Sequence, residues 1–144
     1  MKINWKFPCI LGLALVLLAG LSGCLPVQKA GLTDQKVASV TENLLKAINN
    51  NDYPAFSHDF GPEMKTALPQ DKFPGLRAML AKSSGNFISI TGAPSLSNSQ
   101  GYVIYRFQTK YEKESVIVTV TFAIGGQQVE GLFFNSPNLR KASQ

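Results

Sequence analysis

The sequence predicts an α+β domain in which helices come first and an antiparallel meander follows. Apolar residues recur at helical spacing between Val37 and Leu80, whereas from Phe87 to Phe134 they alternate. Ser83-Ser84-Gly85 separates the two regimes. Helices and strands segregated along the chain place the helices on one face of one sheet. The order suits a cone-like fold, with a long helix across a curved meander of about four strands.

The first helix has a complete set of signals. Thr33 can N-cap it, Asp34 favours its positive end, and Leu32 can staple onto Val37. Val37, Val40, Leu44, Leu45 and Ile48 form one apolar stripe, and Asn49-Asn50-Asn51 tolerates the left-handed conformation that ends a helix. Asp52 caps a second, shorter helix with Pro54 early in it, and Phe56 and Phe60 bury together. Gly61-Pro62 stops that segment, and Glu63 to Leu68 makes one or two turns. A third helix runs from Pro69 to about Lys82, with Phe73, Leu76 and Leu80 inside. Pro74-Gly75 demands either a kink or a start delayed to Phe73.

Phe87 to Thr91 is the first strand, and Gly92 to Gly101 is a loop or a poor edge strand. From Tyr102 to Glu112, Val103, Tyr105, Phe107 and Tyr111 share one face, with Arg106, Gln108, Lys110 and Glu112 opposite. From Ser115 to Ile124, Val116, Val118, Val120, Phe122 and Ile124 share a face, while Ile117, Thr119, Thr121 and Ala123 lie opposite. Gly125-Gly126 is a hairpin turn, Val129 to Phe134 is the last strand, and Asn135 onward reads as a frayed tail.

The first residues set the address. Lys2 and Lys6 precede an uncharged run from Ile10 to Leu21, which ends in Leu21-Ser22-Gly23-Cys24. A basic start, an apolar middle and small residues before a cleavage point are the three parts of a secretory signal. The run is about 18 Å of helix against a hydrocarbon core of about 30 Å, too short to span. Leu-Ser-Gly-Cys resembles the bacterial lipobox, which implies cleavage between Gly23 and Cys24 and acylation of the Cys24 thiol. Residues 1–23 are then a lipoprotein signal peptide, 24–32 a lipidated tether, 33–136 a single α+β domain and 137–144 a tail. The implied location is the cell envelope, lipid-anchored and facing outside the cytoplasm. Leu25 after the cysteine implies the outer membrane where a cell has two.

Removing residues 1–23 leaves 121 residues, enough for one core. The formal charge of +5 falls to +3 as Lys2 and Lys6 leave, and no like-charged run exceeds two residues. A nucleic-acid surface needs a basic stripe, and none is present. Cys9 leaves with the signal and Cys24 is the lipid site. Thiol catalysis, disulfides and cysteine-ligated zinc are therefore not expected. A single histidine, His58, cannot build a multi-histidine metal site, and no metal or cofactor is expected.

From Val37 to Phe134 the chain resembles a family of exported domains known as domain of unknown function 3887. The residues that carry the likeness are Asn51-Asp52-Tyr53, Phe56-Ser57, Asp59-Phe60, Met64, Leu68-Pro69, Phe73, Leu76, Gly85-Asn86-Phe87 and Gly131-Leu132-Phe133-Phe134. That family is similar to the nuclear-transport-factor-2-like superfamily, whose members include isomerases, dehydratases and non-enzymatic modules with a conical cavity.

An isomerase in such a cavity needs a carboxylate base in an apolar pocket and an oxyanion donor. Tyr53, Tyr105 and Tyr111 are the pocket candidates. Of the acids, Glu112 falls on the polar face, Glu114 in a turn, and Glu130 opposite Val129 and Phe133. His58 and Asp59, read as helix neighbours, point about 100° apart and toward solvent. The sequence therefore favours a non-catalytic domain binding a protein partner or a small apolar ligand, with a small isomerase- or dehydratase-like enzyme as the alternative. Both faces of the third long strand are rich in apolar residues, whereas a one-sided antiparallel sheet alternates with polar ones. Ile117, Thr119, Thr121, Leu132 and Phe134 are accordingly expected to form a partner or homodimer surface.

Overall fold

The computed structural model describes residues 26–142, and the signal stretch and Cys24 lie outside the described residues. The helices are α1 Asp34–Asn50, α2 Tyr53–Phe56, α3 Pro62–Ala67, α4 Phe73–Ser83 and α5 Pro137–Ala142. The strands are β1 Phe87–Ile90, β2 Ser95–Ser99, β3 Tyr102–Tyr111, β4 Ser115–Ala123 and β5 Val129–Asn135. All strand pairs are antiparallel, in the order β1-β3-β4-β5, with β2 sharing β1's edge of β3. The result is an unclosed α+β sheet with the helices first, consistent with the expected curved meander. It has five strands where about four were expected.

The fifth strand is the 92–101 stretch, left open between loop and edge strand by its serines and asparagine. It pairs from Ser95↔Arg106 to Ser99↔Tyr102. Its return turn has Gln100 at φ 49° and Gly101 at φ 85°. Two successive positive φ values define the tight hairpin turn that matches strand twist.

α1 starts on Thr33, whose hydroxyl accepts from Lys36 N, and stops on Asn51 at φ 57°. Val37, Val40, Leu44, Leu45 and Ile48 are all buried, joined by Thr41 and Ala47. The helix is pinned beyond its stripe. The Asn49 amide donates to Phe87 O (2.8 Å) and accepts from Phe87 N (3.0 Å), tying α1 to β1. Arg77 Nε of α4 donates to the carbonyl of Ile48 at 3.2 Å, beside the bond that the same oxygen accepts from Asn51 N. α4 begins at Phe73, the delayed start that Pro74-Gly75 demanded.

The inner sheet face is Val103, Tyr105, Phe107, Val116, Val118, Val120 and Phe122, all fully buried. Ile124, expected to continue that face, stands past the end of β4 and is exposed. A register shift at Thr121/Phe122 makes Glu130 an extra residue, because Phe122 faces Val129 while Thr121 faces Gly131. Parity beyond the bulge is inverted. Leu132 pairs with Val120 and Phe134 with Val118 on the inner side, and Phe133 pairs with Thr119 on the outer side.

The expected frayed tail is corrected: Pro137–Ala142 is a helix with Leu139 buried. Ser136 Oγ accepts from Leu139 N at 3.2 Å, as an N-cap does. Glu114 in the β3–β4 turn accepts from Ser84 Oγ (2.6 Å), Ser136 Oγ (2.6 Å) and Asn138 N (3.2 Å), clipping α4 to α5. Burial pushes the Glu114 carboxyl up. Hydrogen bonds from Ser136, Ser84 and Asn138, with the charge of Arg140, outweigh it and hold the group below its ordinary range. A lowered folded pKa stabilises fully above the unfolded value of about 4.3 and is lost as pH falls through the folded value. The clip therefore weakens on acidification below the ordinary carboxylate range, as Glu114 takes up its proton. Amide exchange at Leu139 and Arg140 should accelerate there first. Glu114→Gln should show the same fast exchange at neutral pH.

Candidate functional site

The helices that follow α1 cross the open β5 edge and leave an apolar groove beside it. Only the start of that edge is covered. Phe60 forms a single parallel bridge to Val129, Gly61 N donates to Val129 O (2.9 Å), and Val129 N donates to Asp59 O (2.8 Å). Beyond it, α3 contributes Met64, Leu68 follows at its end, α4 contributes Leu76 and Met79, and β5 contributes Leu132 to Asn135. α5 supplies Leu139, Arg140 and Ala142 along the remaining side. The cavity volume is about 350 Å³. Its polar groups gather at one end, where Arg140 Nη1 donates to Asn135 Oδ1 at 2.6 Å. Met79 (43% exposed) and Phe133 (63%) leave apolar surface open at the rim. Two methionines give the walls side chains that reshape around a guest at little cost.

This groove takes two members of the expected partner surface and rejects the rest. Leu132 and Phe134 line it. Ile117, Thr119 and Thr121 lie on the outer face, where Thr119 stands between Arg106 and Phe133, and Ile117 between Gln108 and Asn135. The five residues do not form one surface, because the bulge at Glu130 turned β5 over. The outer face carries Arg106, Gln108 and two threonines in its centre.

The tyrosines expected at a shared pocket are separated. Tyr53 donates its hydroxyl to Leu68 O at 3.1 Å and sets its ring edge-on to Phe73, centroids 5.6 Å apart. Tyr105 is fully buried, T-shaped on Phe122, and its oxygen accepts from Ala30 N at 3.5 Å. Tyr111 packs on Phe87, and burial pushes its hydroxyl above the ordinary tyrosine range. Tyr105 and Tyr111 stand six residues apart on β3, about 20 Å along the strand. One small cavity cannot hold both.

The acids are also committed elsewhere. Glu112 accepts from Asn86 N (2.8 Å) and Asn86 Nδ2 (3.3 Å), and the bond from the Asn86 backbone holds its carboxyl below the ordinary range. Glu130 lies against Gly61, where an added Cβ would collide with the carboxylate. His58 Nδ1 and Asp59 Oδ1 are in fact 3.0 Å apart, which corrects the expectation that they point away from one another. They lie in a turn rather than on a helix, so the 100° spacing does not apply. The pair is at the surface, with the His58 side chain 79% exposed, over a shallow polar hollow between α1 and α2. Among the described residues, no group of three or more His, Cys, Asp or Glu could hold a metal ion. No described helix is long and apolar enough to cross a membrane.

The groove was only half legible in the sequence. Leu68, Leu76 and Leu132 stood out as apolar, but the wall made by α5 was not expected. Its signal was Ser136-Pro137, a cap followed by proline at the first helical position.

The model of a family described as "Protein of unknown function (DUF3887)" matches residues 41–132. No curated protein matches the chain.

Proposed function

The chain belongs to the DUF3887 family, and from that premise we propose that it is a lipid-anchored module of the cell envelope that binds an apolar guest without catalysing a reaction. The guest is a small apolar ligand or the apolar side chains of a protein partner. One observation carries the binding half: the groove of about 350 Å³ between α3, α4, β5 and α5. Small-molecule sites are concave, mostly apolar and oriented by a few polar groups, with volumes from about 300 Å³. The groove fits that description, with the Arg140–Asn135 pair at one end as the orienting element.

The address half rests on Leu21-Ser22-Gly23-Cys24, with Cys24 as the acylated residue and delivery to the outer membrane where there are two. Helices ahead of a curved meander support, within the same reading, a place in the nuclear-transport-factor-2-like superfamily. The alternative, an isomerase- or dehydratase-like enzyme, gains no support from the side chains it would use. The Tyr53 and Tyr105 oxygens are engaged with backbone, and Glu112 and Glu114 hold turns together.

A dye tests the groove. The chain's one tryptophan is Trp5, ahead of the lipidation site, so an extrinsic probe is needed. Anilinonaphthalene sulfonate should bind the folded domain with enhanced, blue-shifted emission, and a medium-chain fatty acid should displace it. Met79 stands at the rim and is 43% exposed, so Met79→Glu keeps the fold. It should weaken dye binding at least tenfold. Unchanged binding by Met79→Glu would sink the groove as the site.

A further inference from the structure

The stretch after Cys24 is bound to the sheet almost from its start. Gln28 N donates to Asn98 Oδ1 (2.7 Å), and Asn98 Nδ2 donates back to Gln28 O (2.9 Å). Gly125 N donates to Lys29 O (3.1 Å), and Gly31 N to Gly126 O (2.7 Å). Ala30 is buried, and a side chain on Gly31 would collide with the Gly125 carbonyl. The chain before α1 is thus stitched across the β4–β5 turn and the end of β2. Between Cys24 and Gln28 the chain can span about 14 Å at most. An acyl group on Cys24 cannot leave this end of the sheet far from the bilayer.

The same end carries exposed apolar side chains. Val27 is 50% exposed, Tyr102 38% and Ile124 37%. Ile124 N donates to Gly101 O at 2.9 Å, which sets the β2–β3 and β4–β5 turns side by side at one end of the sheet, with Tyr102 and Ile124 there. Val27 precedes the Gln28–Asn98 clasp beside it. We propose that this end, formed by the β2–β3 and β4–β5 turns with residues 27–31, is a membrane-contact surface. In it Val27, Tyr102 and Ile124 sit in the headgroup boundary of the bilayer that holds the anchor. The proposal rests on the lipid-anchored reading and adds an orientation to it. Tyrosine suits that depth because its ring is apolar and its hydroxyl stays hydrated.

Charge attraction is not the basis of the contact. Lys29 is paired with Asp34 at 2.6 Å, and Glu63 and Glu130 border Tyr102. The anchor supplies affinity and the apolar side chains supply orientation, so the contact is insensitive to salt. One consequence concerns the groove. Leu132 to Asn135 lie three to six residues along β5 from Val129, about 10–20 Å from the membrane end. The groove therefore lies away from the membrane end of the sheet.

The mature chain has no cysteine beyond Cys24, so single-thiol variants report depth. Val27→Cys and Ile124→Cys mark the membrane end, and Lys82→Cys, exposed at the end of α4, marks the far end. The full-length lipidated protein, labelled with a fluorophore, goes into phosphatidylethanolamine–phosphatidylglycerol vesicles that carry a headgroup nitroxide. Quenching should be at least threefold stronger at positions 27 and 124 than at 82, and unchanged by 0.5 M salt. Equal or reversed quenching in vesicles that carry the protein on flotation overturns the orientation and leaves the anchor standing. Protein that fails to float overturns the anchor, and the orientation with it. Thiols at 27 and 124 that resist labelling in detergent as well would mean that a second copy covers the patch, which also overturns the proposal.

Discussion

Leu45→Ala should cost this domain between 3 and 5 kcal/mol, the upper part of the range of about 2–5 kcal/mol for truncating a buried leucine. The cost has two parts, the lost transfer free energy and the cavity left behind, and the second depends on whether the surroundings collapse. Leu45 is fully buried in the middle of α1. The helix cannot slide inward to fill the space, because it is held at both ends. At its start are the Thr33 cap and the Gly31–Gly126 bond; at its end are the Asn49–Phe87 pair and Arg77 on Ile48 O. A loss of this size is a large share of the roughly 5–15 kcal/mol that stabilises a typical domain. At about 4 °C per kcal/mol, the melting temperature should fall by about 12–20 °C. His58→Ala is the contrast, and should stay within about 0.5 kcal/mol because the side chain is exposed. Denaturant titrations of both variants check the pair. A His58→Ala loss equal to that of Leu45→Ala would contradict the packing described for α1.

The parts of the fold that were legible are those where local chemistry and tertiary packing agree. α1 had a cap, a stripe and a left-handed stop within one stretch, and Thr33, Leu45 and Asn51 take the expected roles. In β3 and β4, period-two alternation held for nine or ten residues without interruption, so Val103 to Phe122 were placed on the correct face. Where one residue changed the geometry, the pattern misled. Counting by twos through Glu130 put Leu132 and Phe134 outside, whereas the bulge puts them inside. Nothing in Val129-Glu130-Gly131 announces the extra residue, because a bulge is settled by which partner residues meet across strands. β2 was left open and α5 was missed for another reason. Both are short and polar: β2 takes its order from the hairpin to β3, and α5 is held by Glu114, which lies 22 residues from Ser136. The candidate site inherits these errors, since α5 and the turned β5 build two of its walls.

Under the proposed anchoring, Cys24→Ala should leave the protein without any acyl chain and largely uncleaved at this site, the largest effect expected of any single substitution here. The thiol is the only acyl acceptor beyond the signal, so its loss removes every acyl chain. Each buried CH₂ contributes about 0.8 kcal/mol, and one myristoyl chain alone gives a partition constant of only about 10⁴ M⁻¹. The apolar groups at the membrane end cannot replace this. Val27, Tyr102 and Ile124 are already about half-buried or more against the protein, and each has only part of a side chain left to insert. Even a fully transferred side chain contributes about 1.5–3 kcal/mol, and three partly exposed ones fall well short of a diacylglycerol. The variant should therefore keep its signal and run as a larger precursor, and any part of it cut elsewhere should appear in the soluble fraction. Metabolic labelling with an alkyne palmitate should mark the wild type and leave Cys24→Ala dark. Equal labelling of the two would show acylation elsewhere and remove the basis for the membrane address. If the variant stays on membranes unlabelled and at mature size, the contact surface rather than the lipid holds the domain there, and the division of roles between them would have to be reversed.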